Sequence, residues 1–157
     1  AALITASILS LIGLLASFVL GYMAVTVDER LQHAALAIFV ILVTLFTHSM
    51  TMFYLIGKGR AIRDAVAEGE LISNAADRVS VLRIPVFKFC SLSMALTMLT
   101  GIVGGGVDTG VIPGIAHALL ASLAIFASFV ALRAIVRALN ESSRIVAEVN
   151  RDLGVSG

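Results

Sequence analysis

The chain has 157 residues, 59% of them hydrophobic and only 13% charged, with a formal net charge of +1. Its mean hydropathy of +1.05 is far above that of a water-soluble domain, in which roughly 45–50% of residues are apolar. A separate soluble catalytic domain and a nucleic-acid footprint are both excluded, because four spans of about 20 residues take up most of the length and there is no excess of basic charge.

Segment one, residues 1–25, contains no charged residue. It is read as a span rather than a signal peptide because it outruns the 7–15 residues (about) of a signal's apolar region. Ser10, Gly13, Ser17 and Gly21 recur at steps of three and four. That small-residue stripe, with Gly13, Ser17 and Gly21 at its centre, suits close helix packing inside the bundle or against a second copy. A tight polar turn is expected at 27–33, and the second span at 34–56.

After Gly57-Lys58-Gly59-Arg60 the helical pattern runs on to Ala67, and Glu68-Gly69-Glu70 reads as a break. The stretch 57–83 is expected to be a basic cytoplasmic loop, with 71–83 as a short helix on the membrane surface. Pro85 suits the first turn of a third span at 84–103, where its missing N–H costs little. The glycine-rich stretch from Gly101 to Gly110 lacks the lysine and strand context of a phosphate loop, so it is expected to be a flexible outer loop.

Pro113 opens a fourth span over 113–134, and 135–157 is expected to be a cytoplasmic helical tail. Ile135, Leu139, Ser142, Val146, Val149 and Leu153 alternate steps of four and three, a seam that calls for a partner helix. The fold class is therefore an all-α membrane protein: a four-helix up-down bundle forming one membrane domain, its second and fourth helices extended into the cytoplasm. Ten of the eleven Lys and Arg residues fall on one side of such a threading and only Arg30 on the other. By the positive-inside rule both termini are cytoplasmic, and a bacterial inner membrane is the natural setting.

His48 stands near the middle of the second span, where an ionisable side chain is costly and faces the bundle interior. Thr44, Thr47 and Thr51 share its side of the helix, and Cys90, Met94, Thr97 and Met98 lie at a similar depth on the third span. His48 with Met94 or Met98 is a ligand set for haem b or copper. The structural alternative is a neutral histidine hydrogen-bonded across the bundle, with methionines as filler. His33 and His117 lie near the outer ends of their spans and form a second candidate, an outer metal or proton-entry site with Asp28, Glu29 or Asp108.

No nucleophile elbow, HExxH, CxxC or Walker motif is present, and the spans hold no Asp or Glu. These features point away from an enzyme and from a carboxylate-driven pump. The expected function is a non-catalytic subunit of a larger membrane assembly, partnered by lipid and by other subunits or further copies, with electron transfer through a cofactor at His48 as the specific form. The alternative is an oligomeric transporter or channel protomer lined by Thr44, Thr47, His48 and Thr51.

Overall fold

The computed structural model describes residues 1–154; the last three residues of the expected 135–157 tail lie outside the described residues. Among the described residues there are four helices and no strand: α1 (Ala2–Met23), α2 (Val27–Glu68), α3 (Ala75–Asp108) and α4 (Gly114–Asp152). All four are long and apolar enough to cross a membrane. At 1.5 Å per residue, the 42 residues of α2 and the 39 of α4 extend for about 63 and 58 Å, roughly twice a hydrocarbon core of about 30 Å. Leu9, Phe39, Phe46, Phe53, Leu119 and Phe126 are exposed around the outside. In water such a surface would be a liability; against acyl chains it is the expected finish.

Short connections join the helices, and each has a local cause. Residues 24–26 separate α1 from α2. There Thr26 Oγ1 accepts from the Glu29 N–H at 3.3 Å, while the Glu29 carboxylate accepts from the Thr26 and Val25 N–H groups at 2.8 and 2.9 Å. This capping box satisfies donors that a helix start otherwise leaves open, so α2 begins at Val27 and the polar stretch 27–33 forms its first turns rather than a loop. After α3, Gly110 takes a left-handed φ of +74°, which lets the Val111 and Ile112 N–H groups both reach the Gly106 carbonyl at 3.0 Å.

Two expectations about α3 are corrected. The surface helix and the third span are one continuous helix, with Pro85 in its interior. Pro85 deprives the Val81 carbonyl of its usual donor, a loss of about 3 kcal/mol in an isolated helix. The helix persists because Val79 and Val86, on either side of the proline, are wholly buried against other helices. The glycine-rich stretch is not a loop either, since α3 continues through it to Asp108. Low helix propensity is overridden here by close approach. A methyl group on Gly101 would come within 2.7 Å of Ile41 Cδ1, and one on Gly104 within 3.0 Å of His117 Cε1.

The core has two parts. Leu55, Val86, Cys90, Ala131, Ile135 and Ala138 join α2, α3 and α4 in one cluster. Ile62, Ala75, Val79, Ile145 and Val149 form the second, with Leu71, Val146 and Leu153 packed beside them. The seam read on the last helix is thus matched within the chain, by the start of α3 as well as by the end of α2. Arg78 pairs with Glu148 at 2.8 Å and Glu141 at 3.8 Å on its surface. These half-exposed pairs contribute about 0–1 kcal/mol, so apolar burial rather than charge holds this end together. The small-residue stripe of α1 faces α2: Ser10 and Ser17 are buried, and a methyl on Gly13 would lie 2.9 Å from Val40 Cγ2.

Candidate cofactor sites

Two places in the bundle concentrate polar chemistry. The first is the middle of the interior. His48, only 2% exposed, sits on α2 among Thr44, Thr47 and Thr51, all buried. Its Nε2 lies 3.1 Å from Ser93 Oγ of α3, which lies 2.7 Å from Ser128 Oγ of α4. One imidazole and two hydroxyls therefore tie three helices together. A neutral imidazole brings one hydrogen and each serine one, so three hydrogens meet two hydrogen bonds and one donor is left over in either tautomer. His48 Nδ1 has no partner among the described residues.

The neighbouring hydroxyls are committed elsewhere. Thr51 donates to the Thr47 carbonyl at 2.8 Å and Thr97 to that of Ser93 at 2.7 Å, each one turn back on its own helix. Thr44 donates to the Val40 carbonyl at 2.8 Å, so at the 2.6 Å separation of the two hydroxyls it is Ser10 of α1 that donates to Thr44. This satisfies Thr44, Thr51 and Thr97 locally, and all three are buried. Of the sulfur candidates, Cys90 is buried, Met94 is partly buried and Met98 is half exposed on the outward side of α3. The structure links His48 to Ser93 and, through it, to Ser128. Neither serine is conspicuous in the sequence, and nothing in their spacing announces the pairing.

The second place is a cavity of about 610 Å³ at one end of the bundle, between the C-terminal parts of α1 and α3 and the N-terminal parts of α2 and α4. Its wall includes Ser17 and Gly21 of α1, Arg30 and His33 of α2, Thr100, Gly101, Gly104 and Asp108 of α3, and His117 of α4. Apolar groups such as Leu14, Phe18, Ile38 and Ile125 complete it. That volume is in the range of roughly 300–1,000 Å³ typical of cofactor and ligand sites, and so is the mixture of apolar walls with a few polar groups. His48 is not on this wall; on the same helix it lies fifteen residues from His33, a rise of about 22 Å.

His33 and His117, 84 positions apart in the chain, have ring centroids 6.3 Å apart and ring planes inclined at 82°. His117 Nδ1 donates to the Thr100 carbonyl at 3.1 Å, which fixes its tautomer and leaves Nε2 with a free lone pair. His33 Nδ1 is buried without a hydrogen-bond partner among the described residues. Of the acids proposed beside them, Asp108 reaches the cavity wall, whereas Glu29 is used in the capping box. Among the described residues no group of three His, Cys, Asp or Glu side chains is placed to hold a metal ion. The chain matches no protein-family model, no curated protein and no solved structure.

Proposed function

We propose that this chain is a non-catalytic subunit of a larger membrane assembly that carries a cofactor-sized ligand in the cavity at the outer end of its bundle. The observation that carries this reading is the cavity itself: about 610 Å³ of space between four packed helices, with Gly21, Gly101, Gly104 and two histidines on its wall. In this reading the bundle runs up and down across a bacterial inner membrane, with both termini cytoplasmic. The ten-to-one division of Lys and Arg supports that orientation. The surplus length of α2 and α4 then stands in the cytoplasm, where the cluster around Ile62, Val79 and Ile145 makes a short stalk for contact with other subunits or further copies. The hydrogen-bonded His48 network serves as a structural tie between helices rather than as the ligand's anchor.

Native mass spectrometry of the protein extracted in mild detergent tests the ligand. A bound non-protein mass is expected, and Gly104→Leu, which pushes a side chain towards His117, should remove it while the helical content stays unchanged. Wild-type protein that carries no bound mass when taken gently from its own membrane overturns the reading.

A further inference from the structure

The geometry points to the ligand being an iron porphyrin, held by His33 and His117 as its two axial ligands, with Arg30 on its carboxylate groups; this rests on the ligand-carrying reading above. A bare metal ion does not fit the residues. A zinc-type site calls for three or four protein ligands, and among the described residues no cluster of three is placed to supply them. Two imidazoles beside a large cavity is the opposite combination: a planar macrocycle provides its own equatorial nitrogens and asks the protein for two axial ligands and for room.

The spacing agrees. Two metal–nitrogen bonds of about 2 Å, each extended by about 1 Å from nitrogen to ring centre, set axial imidazole centroids about 6 Å apart. The observed separation is 6.3 Å, and the 82° between ring planes is permitted because each ring can turn about its own metal–nitrogen bond. Neither ring has both of its nitrogens in hydrogen bonds among the described residues. Nδ1 of His117 donates to the Thr100 carbonyl, the outer contact that orients a ligating histidine and raises its basicity, so Nε2 is free to bind metal. Nδ1 of His33 is buried with no partner among the described residues.

The walls fit a flat apolar ring. Gly101, Gly104 and Gly105 follow one another on the α3 side and Gly21 stands on the α1 side, so no side chain from these positions enters the space. The cavity mouth supplies the charge. Arg30, the one cation on the cavity wall among the described residues, makes no ion pair within them and carries the fork that carboxylates bind. Asp108 shares the wall and marks the side that the carboxylate groups would avoid.

The test is a visible spectrum of the full chain, expressed in a bacterium supplied with a haem precursor and, separately, purified in micelles and titrated with hemin. One haem per chain, a Soret band and sharp bands after dithionite reduction are expected for two imidazole ligands. His33→Ala and His117→Ala should each abolish the sharp reduced bands, and His48→Ala should leave them in place. Should either alanine variant fold poorly, His117→Gly supplemented with free imidazole should recover the wild-type spectrum. Arg30→Gln should weaken hemin binding several-fold without altering the spectrum. A folded protein that binds no haem by either route, or a spectrum that survives loss of both outer histidines, overturns the inference. If native mass spectrometry still finds a bound molecule that is not haem, the ligand-carrying reading stands and only the haem assignment fails; if nothing is bound at all, both fail.

Discussion

Ser93→Ala removes the central member of the interior network, and its cost follows from counting hydrogens. In the wild-type protein three donors share two hydrogen bonds, through the 3.1 Å contact with His48 and the 2.7 Å contact with Ser128. The alanine variant loses both bonds and leaves two buried donors unpaired instead of one. Interhelical hydrogen bonds within a bilayer average about 0.6 kcal/mol each, and an additional unpaired buried donor costs about 1–3 kcal/mol. The expected destabilisation is therefore about 2–4 kcal/mol. Ser128→Ala removes one bond but does not change the number of unpaired donors, so its cost should be only about 0.6 kcal/mol. Reversible unfolding in mixed micelles, followed by helical circular dichroism as denaturing detergent is added, measures both. Equal effects of the two substitutions, or a neutral Ser93→Ala, would refute the counting. A cycle combining His48→Ala with Ser93→Ala should further show coupling of about 0.6 kcal/mol or more, since the two residues share one bond.

Two further outcomes are expected. Gly13→Ala places a methyl 2.9 Å from Cγ2 of Val40, a stiff β-branched neighbour, and should destabilise by about 1–3 kcal/mol in the same unfolding assay. Gly57→Ala, with nothing within 4 Å, should be neutral or stabilise by about 0.5–1 kcal/mol, so a similar loss at both positions would count against close packing as the cause. At the start of α2, hydrogen bonds from the Thr26 and then the Val25 backbone N–H hold the Glu29 carboxyl below its ordinary value of 4.5. A depressed folded-state value means that this contribution is fully present above the unfolded value and is lost as pH falls through the folded one. Amide exchange at residues 28–30 should accordingly accelerate on acidification beyond its intrinsic rate, and Glu29→Gln should remove that extra pH dependence; an unchanged profile in the variant would show that the carboxylate is not what fastens the turn.

The four long apolar helices were legible because a chain in lipid must close its backbone hydrogen bonds within each span, and uncharged runs of over 20 residues have few other solutions. The interior placement of His48 was legible for a related reason, since no Asp, Glu, Lys, Arg or other His occurs between Ala34 and Ile56. Helix ends were harder to place. Thr26 and Glu29 carry a recognisable capping signature, but the polar composition of 27–33 resembles a loop until that signature is weighed. Gly101 and Gly104 misled for the opposite reason: rules learned in water treat glycine as a breaker, whereas between tightly packed helices it provides clearance. Ser93 and Ser128 could not be singled out, because each is an ordinary serine and its role exists only across a tertiary contact. The neighbouring placement of His33 and His117 depends on how far each helix extends beyond its apolar stretch, and that depends on the caps.

The three-residue connection between α1 and α2 has a consequence for how the first helix stays in place. Small residues seat α1 along its length: Ser10 donates to Thr44, Gly13 lies against Val40 and Gly21 against His33, and the helix also packs on α4. In lipid such packing has no hydrophobic drive behind it, so as a separate chain α1 would associate with the bundle in proportion to concentration. A short linker converts that encounter into an intramolecular event at an effective concentration in the millimolar range or above. Association of α1 thus combines this packing with its tether: cutting the chain between Ala24 and Thr26 should make the seating of α1 depend on protein concentration in the bilayer, where the intact chain shows no such dependence.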